Sequence, residues 1–380
     1  MGRRIHPAVH YEEDLLTLGI VEHGSRGLVY KVVTSARRQY PADKLGPILT
    51  RPPMAYKALV GRWPAQARAA WLAGETPPAS FAEATGGALA LFTRLLDVSH
   101  ETAVVLAVWT VATYFHRLFP AFPRLFLTGE AASGKSKAQQ IIAGLAWNGL
   151  YRIVPTGPVL FRLIEAVRPT YCVSEAERLG GEQRQVLEAV INEGYTRGGM
   201  VDRCEGESRE PRTFAVYAPL TLGSIKALKA VTETRAISLV MTRGTDRGKL
   251  NAEADPDGPP FVAVRDLVHR LALERFRDVA VTVQDLGDPP WLVARERQLW
   301  RPLLVIAHLA DREAEGALSL EETIQEAARA QTEERGHPSE EAAALAVVLE
   351  RQLKGADEIL VRPRDLVNDL KAHLHWEYLR

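Results

Sequence analysis

The stretch RLFLTGEAASGKSKAQQIIAGLAW, residues 124–147, contains the strongest structural signal in this chain. It begins with the apolar run 125–128, which is typical of a buried parallel strand. GEAASGKS, residues 129–136 and hereafter the glycine loop, comes next and leads into a helical pattern with apolar residues on one side. A chance match in a loop of small residues is the alternative. Strand, glycine loop and helix in this order instead predict a phosphate-binding loop.

The residue types in the glycine loop suit phosphate chemistry. Gly129 and Gly134 allow the backbone to turn its N–H groups inward as a concave nest of donors. Lys135 supplies a point charge for the β- and γ-phosphates, and the Ser136 hydroxyl is placed to bind Mg²⁺. The positive end of the following helix points at the same phosphates. The residues predicted to bind the nucleotide here are Gly129, Glu130, Ala131, Ala132, Ser133, Gly134, Lys135, Ser136 and Lys137.

The composition limits the classes of protein to consider. Of 380 residues, 46% are hydrophobic and 25% are charged, which excludes disorder as the main state. Lys plus Arg and Asp plus Glu each number 47, so any contact with nucleic acid must be local. The two cysteines, Cys172 and Cys204, lack metal-ligand spacing and are expected to be free thiols.

The most apolar helical segment, residues 102–115, is too short to span a bilayer and is followed by His116 and Arg117. We therefore expect a buried helix at this place. No apolar run follows the arginines near the N-terminus, so no secretory signal is predicted. A cytoplasmic protein without a membrane partner is the expectation.

Three domains are expected from the patterns along the chain. Residues 1–85 alternate β-prone runs with turns and end in a helix, which predicts a small α+β accessory domain. Residues 86–260 contain the glycine loop and further strand-like runs, preceded by two helical patterns that predict a helical collar. Residues 261–380 indicate a mainly helical domain whose final strand and helix suggest a winged-helix-like module.

A second strand that bears on the chemistry lies in TYCVSEAERL, residues 170–179. In most ATPases with such a loop, this strand ends in two carboxylates, one for Mg²⁺ and one for the attacking water. Ser174 and Glu175 occupy those positions here. Glu175 is predicted to activate water and to contribute to the metal site, with an ion pair or a helix-start acid as the alternative. Glu177 is a second candidate for the missing carboxylate.

Hydroxyl groups close the next predicted strand, residues 213–222. Thr221 and Ser224 are candidates to contact the γ-phosphate or the attacking water. Hydroxyl residues also form ordinary turns at strand ends, so both interpretations stay open. Ahead of this strand, residues 200–216 have two β-like halves around a turn, which predicts a hairpin.

An arginine precedes the last predicted strand of the sheet, residues 236–241. Arg235 is predicted to reach the γ-phosphate bound by a neighbouring subunit and to stabilise charge in the transition state. Arg197 is a second candidate for this trans role. An ion pair between Arg235 and Glu233 is the alternative.

Six segments in order resemble the AAA+ or superfamily-3-like ATPases of phages, plasmids and integrated mobile elements, often encoded beside a primase. They are GEAASGKS, TYCVSEAERL, INEGYTRGG, FAVYAPLTLGSI, TETRAISLVMTR and RERQLWRPLLVIAHLA. The resemblance covers about residues 5–310 and is strongest over 125–243. It implies an α/β P-loop NTPase core, ATP and Mg²⁺ as cofactors, a homo-oligomeric hexameric ring with sites between subunits, and a possible primase partner.

The same resemblance assigns a role to the predicted hairpin. In ring helicases of this kind, a hairpin before the sensor strand points into the pore and binds single-stranded DNA. Arg203, Arg209 and Arg212 are then the candidate phosphate contacts.

The sequence is compatible with three functions. The leading one is an ATP-hydrolysing DNA helicase or translocase in replication of a mobile genetic element, with Lys135, Glu175 and Arg235 as catalytic residues. The alternative is an ATP-binding assembly or scaffold protein with weak hydrolysis, which Ser174 at the usual acidic position favours. A small-molecule P-loop kinase is disfavoured, because no arginine-rich lid over a second phosphate acceptor is evident.

Overall fold

The computed structural model describes residues 5–12, 14–25, 27–41, 57–153, 157–178, 180–205, 210–225 and 233–336. The chain divides into two compact units, residues 1–328 and 329–380. In the second unit, the described residues are the end of one helix. The final strand and helix of the predicted winged-helix-like module, and Arg209, lie outside the described residues.

The elements of the described chain are numbered in order. The strands are β1 Val9–Glu12, β2 Leu15–Gly24, β3 Gly27–Thr34, β4 Arg38–Pro41, β5 Arg124–Thr128, β6 Leu150–Arg152, β7 Tyr171–Val173, β8 Met200–Glu205, β9 Glu210–Ala215, β10 Leu220–Ser224 and β11 Ala236–Val240. The α-helices are α1 Ala65–Ala73, α2 Phe81–Leu95, α3 His100–Ala112, α4 Lys135–Leu145, α5 Gly157–Val167, α6 Gly181–Glu193, α7 Arg247–Asn251, α8 Pro259–Asp285, α9 Ala294–Glu313 and α10 Leu320–Gly336. Short 3-10 turns lie at Lys57–Leu59, Thr113–Leu118 and Ala176–Arg178.

A five-stranded parallel sheet with the order β11-β5-β10-β7-β6 forms the centre of the fold. Alternate residues of β5 enter two different cores, because successive side chains of a strand point to opposite faces. Leu125 and Leu127 pack in a core with α2, α3, α4 and α8, whereas Phe126 packs in a second core with α5 and α6. The strand is therefore buried on both faces, as its apolar run predicts, and the mixed α/β class is confirmed.

The strand order brings three chain segments to one edge of the sheet. β10 lies between β5, which leads into the glycine loop, and β7, which leads into Ser174 and Glu175. Because all three strands are parallel, their carboxyl ends lie at the same edge. Ser136 and Ser174, which are 38 positions apart in the sequence, therefore meet at one place.

One strand differs from its prediction. The run 213–222 was expected to be a single strand, but β9 ends at Ala215 and β10 begins at Leu220. Pro219 has no N–H to donate to a ladder, and its carbonyl accepts the N–H of Tyr171 at 3.0 Å. The first part of the run therefore belongs to the predicted hairpin, where β8 and β9 pair antiparallel.

The N-terminal residues form an antiparallel sheet of order β1-β2-β3-β4, in which β2 and β3 form a hairpin. Residues of this sheet share the large core with α2, α3, α4, α8 and α9. The apolar segment 102–115 lies within α3 and the adjacent 3-10 turn and is buried from residue 103, as predicted. No helix in the described part of the chain is both long and apolar enough to cross a membrane.

Arginines bind the carboxyl ends of two helices that support the sheet. Arg124, which is fully buried at the start of β5, donates to the carbonyls of Val190 and Ile191 in α6 at 3.0–3.2 Å. Arg62 donates to the carbonyls of Ala143 and Ala146 at the end of α4, at 2.7 and 2.6 Å. Burial lowers the pKa of Arg124 to about 9, yet the carbonyls satisfy its donors. A cation at a helix carboxyl end is also favoured by the helix dipole.

Substitutions at two helical glycines test how closely α2 and α4 pack against their neighbours. A Cβ at Gly86 in α2 would meet no heavy atom within 4 Å, whereas one at Gly144 in α4 would lie 2.9 Å from the Phe261 ring. We expect Gly86→Ala to raise the free energy of unfolding by about 0.5–1 kcal/mol, because alanine loses less entropy on forming a helix. Gly144→Ala is expected to lower it. Urea denaturation measures both, and effects of the same sign would contradict the packing.

Candidate functional site

The glycine loop connects the carboxyl end of β5 to the first turn of α4. Gly129 has φ 140° and Gly134 has φ 87°, which are conformations that side chains rarely adopt. A Cβ at Gly129 would lie 2.0 Å from the carbonyl oxygen of Met241, just past β11. The loop therefore requires glycine at its first position because the backbone of a neighbouring segment lies against it.

The Lys135 side chain folds back into the glycine loop. Its Nζ donates to the carbonyls of Gly129 at 2.7 Å and Glu130 at 2.6 Å, and to Ser133 Oγ at 3.2 Å. Burial lowers the pKa of Lys135, and the charge of the Glu177 carboxylate opposes this shift. The ammonium group thus lies on the concave side of the loop, next to the start of α4.

The hydroxyl of Ser136 lies beside the strand that carries the acidic segment. Ser136 Oγ is 3.3 Å from Ser174 Oγ, so the two positions identified in the sequence are in contact. Ser174 is almost fully buried and its N–H donates to the carbonyl of Arg152 in β6. Two neutral hydroxyl groups therefore meet beside the first turn of α4.

A buried glutamine connects α4 to the sheet. Gln139 Nε2 donates to the carbonyl of Val173 at 2.8 Å and to Thr221 Oγ1 at 3.0 Å. It lies too close to Gly223 for a side chain there, because a Cβ would be 2.7 Å from Gln139 Oε1. Sequence reasoning missed Gln139, although a polar residue among Ala138, Ile141 and Ile142 on the buried side of the helix was a visible signal.

The two hydroxyl candidates of β10 lie at different depths. Thr221 is fully buried and its hydroxyl is bonded to Gln139, so it supports the site from inside the sheet. Ser224 is at the carboxyl end of β10 and pairs in register with Thr128, the last residue before the glycine loop. The structure brings Ser224, rather than Thr221, level with the loop.

The acidic segment turns sharply after β7. Glu175 has φ 55° and forms an ion pair of 2.5 Å with Arg178, three residues farther along. Glu177 lies in the 3-10 turn Ala176–Arg178, which packs on β10. One oxygen of the Glu177 carboxylate, Oε2, is shielded from solvent and has no hydrogen-bond partner among the described residues. The two acids therefore have different surroundings.

The candidate trans arginines lie at the opposite edge of the sheet. Arg235 precedes β11, and its carbonyl accepts the N–H of Arg124 at the start of β5. Arg197 is exposed and its main chain donates to the carbonyl of Pro120, shortly before β5. Because β5 and β11 are parallel, both arginines lie at the amino ends of strands, away from the glycine loop of the same chain.

The described arginines of the hairpin lie against α5. Arg203 and Arg212 are register partners on β8 and β9. The Arg212 guanidinium pairs with Glu165 at 2.9 Å and lies 4.5 Å from the ring centre of Phe214. The Arg203 guanidinium lies 6.0 Å from the ring centre of Phe161.

A cavity of about 310 Å³ opens beside the glycine loop and the first turn of α4. Its other wall is largely apolar and comes from the α2–α3 connection and the segment after β11, with Leu95, Leu96, Val98, Met241 and Leu250. Asp97 fixes the two parts together, since it accepts the N–H groups of Thr245 and Asp246 at 2.7 and 2.9 Å. These bonds lower the pKa of Asp97. Sequence reasoning missed this cavity.

No group of three or more His, Cys, Asp or Glu residues in the described ranges is arranged to bind a metal ion. A metal at this site would depend on Ser136, on the acidic segment and on oxygen atoms from a ligand. Mg²⁺ commonly binds in this way, with few protein ligands and several waters.

Removing the glutamine bridge tests its structural role. Gln139→Ala would leave the buried Thr221 hydroxyl and the Val173 carbonyl without their donor. We expect the free energy of unfolding to fall by about 1–3 kcal/mol. Gln140→Ala, at the next and exposed position of α4, is the matched control and should change it by less than about 0.5 kcal/mol. Equal effects in urea denaturation would contradict the bridge.

No family model matches this chain, and no curated protein matches it. Among solved structures, the chain described as "SCCmec type IV Cch - active helicase" is similar, with 12% sequence identity and a TM-score of 0.46. The match covers 88% of this chain and 64% of that chain, so this chain spans less than two thirds of the length of the other.

Proposed function

We propose that this chain is a P-loop ATPase that binds ATP with Mg²⁺ at the glycine loop. The observation that carries the proposal is the position of Lys135, whose ammonium group lies on the concave side of the loop, at the start of α4. A cation and a helix amino end at one place favour a bound polyphosphate. The glycine at each end of the loop keeps side chains out of this space.

The residues present fit a magnesium ion that is bound chiefly by the nucleotide. Ser136 would supply the protein ligand, and Ser174, 3.3 Å away, would hold a metal-bound water through its hydroxyl. Mg²⁺ would neutralise charge on the phosphates. Ser174 contributes no negative charge of its own, so any carboxylate at this site must come from the segment that follows it.

The cavity supports a nucleoside rather than an inorganic polyphosphate as the ligand. It adjoins the glycine loop, its volume of about 310 Å³ suits a small ligand, and its far wall is apolar. A flat aromatic base would pack against Leu95, Leu96 and Leu250 while the phosphates lie at the loop. The Asp97 contacts would hold this wall in place.

We further propose that chains assemble as a homohexameric ring and move on DNA during replication of a mobile genetic element. The positions of Arg235 and Arg197 support a shared site, because an arginine at the far edge of the sheet is suited to a neighbour's nucleotide rather than its own. In this proposal, Arg203, Arg209 and Arg212 bind single-stranded DNA, and a primase is a candidate partner. These assignments rest on the resemblance of the sequence segments.

A second candidate is an assembly ATPase with weak hydrolysis. The contact between Ser136 and Ser174 favours it, because two neutral hydroxyls lie where a carboxylate would strengthen the metal site. The hairpin also favours it, because Arg212 is already paired with Glu165 and stacked on Phe214.

Substitution of the loop lysine tests nucleotide binding. Lys135→Ala removes the charge that faces the phosphates, and we expect ATP affinity to fall at least tenfold and hydrolysis by about a hundredfold or more. A fluorescent ATP analogue and a phosphate-release assay measure the two effects. Gln140→Ala should match the wild type in both. Unchanged binding by Lys135→Ala would rule out the glycine loop as the phosphate site.

Restoring a carboxylate separates the two candidate functions. If the chain is a weak ATPase, Ser174→Asp should raise hydrolysis by about tenfold or more, because it adds charge beside the Ser136 hydroxyl. Ser174→Ala is the control without a carboxylate. No increase in Ser174→Asp would count against the assembly protein.

Assembly is a separate question with its own measurement. The helicase proposal predicts a ring with an ATP analogue and single-stranded DNA, and hydrolysis that DNA stimulates. A particle mass that stays monomeric under these conditions would contradict the ring.

A further inference from the structure

We infer that Glu177, and not Glu175, is the carboxylate that takes the proton from the attacking water. The inference rests on the proposed ATPase function and assigns one catalytic residue within it. It departs from the expectation that the acid directly after Ser174 has this role.

The surroundings of Glu175 argue against that role. Its oxygens accept a hydrogen bond from Arg178 at 2.5 Å, and both side chains are substantially exposed, at 40% for Glu175 and 67% for Arg178. A water that is to be deprotonated would have to compete with this guanidinium. An exposed carboxylate also exchanges its hydrogen bonds with bulk solvent, so it does not hold a single water molecule in a fixed position.

The Glu177 carboxylate has one oxygen whose hydrogen-bonding capacity is not satisfied by the described residues. Its Oε2 is shielded from solvent and receives no hydrogen bond from the described residues. Buried acceptors are normally satisfied, so such an atom requires an explanation, and a functional role is one of the recognised ones. A water bound in the presence of substrate would satisfy this oxygen.

The Glu177 carboxylate also lies close enough to the glycine loop for its charge to act on the Lys135 ammonium group.

The path of the chain explains why Glu177, rather than Glu175, lies near the glycine loop. After Ser174 the backbone takes the left-handed conformation at Glu175 and then forms the 3-10 turn Ala176–Arg178, closed by the bond from Arg178 N to the carbonyl of Glu175 at 2.9 Å. The turn packs on β10, which lies beside the strand that carries the glycine loop. The turn thus carries residue 177 back over the edge of the sheet where the loop lies.

The proposed step balances without any further reactant. Water attacks the γ-phosphorus, so a new O–P bond forms as its proton passes to the Glu177 carboxylate. The bond between the γ-phosphorus and the β–γ bridging oxygen breaks, and ADP leaves with the electron pair. Phosphate and one proton are the other products. A positioned base of this kind typically contributes about 10²–10⁴-fold to the rate.

Paired Glu→Gln substitutions in the full chain test the assignment. Glu177→Gln keeps the shape of the side chain but cannot accept the proton, so we expect hydrolysis to fall at least a hundredfold while ADP affinity stays within threefold of wild type. Glu175→Gln should lower hydrolysis by less than tenfold. Glu326→Gln, at an exposed position of α10, controls for the change of charge and should leave both quantities unchanged.

Two kinds of result would overturn the assignment of Glu177 as the base. Hydrolysis retained in Glu177→Gln, or lost equally in the two variants, would overturn the assignment to Glu177. Loss of ADP binding in Glu177→Gln would show a structural role and would also overturn it. Failure of the wild type to bind ATP would instead refute the proposed function, so the two failures are distinguishable.

Discussion

The side-chain amide of Gln139 is the contact on which the geometry of the site depends most. It joins the helix that follows the glycine loop to two strands, through the carbonyl of Val173 at the end of β7 and the hydroxyl of Thr221 within β10. Since Val173 is the last residue of β7, this bond holds α4 next to the strand end where Ser174 contacts Ser136. A buried amide can hold such a position because an unmade hydrogen bond in the interior is costly. The helix is therefore held to the sheet by a directional bond as well as by apolar packing.

Two arginine side chains bind the carboxyl end of the same helix, α4. Arg62 and Arg265 donate to carbonyls of the last turn of α4, and Arg265 also donates to the carbonyl of Arg62 at 3.1 Å. These two arginines come from segments about 200 residues apart. The N-terminal region and α8 thus fix α4 from outside the sheet.

The site consists of two halves with different chemistry. One half has the loop, the lysine and two hydroxyls, and it suits a nucleotide with its metal ion. The other half is the short acidic segment, whose two glutamates differ in exposure and in partners. Because Ser174 is neutral, any carboxylate that takes part in the proposed hydrolysis must come from this acidic segment.

Some elements of this protein could be predicted from the sequence, because they depend on interactions between residues that are close along the chain. The buried strand, the glycine loop and the helix after it follow from the apolar run, the conformational freedom of glycine and the period of the helix, all of which act within a few residues. Ser136 and Ser174 were each identified as site positions from the sequence, but their contact depends on the strand order, which was not predicted. The break at Pro219 was missed, although the missing N–H of proline is itself local.

Other features depend on which segments the strand order and the chain turns bring together. The cavity wall combines residues 95–98 with residues 241–250, and no local pattern links segments that distant. The choice between Glu175 and Glu177 depends on one left-handed residue and a 3-10 turn, which determine which carboxylate lies over the sheet. Hydrogen bonds and burial act between segments that are close in space, whatever their distance along the chain. Their pattern therefore exists only once the chain has folded.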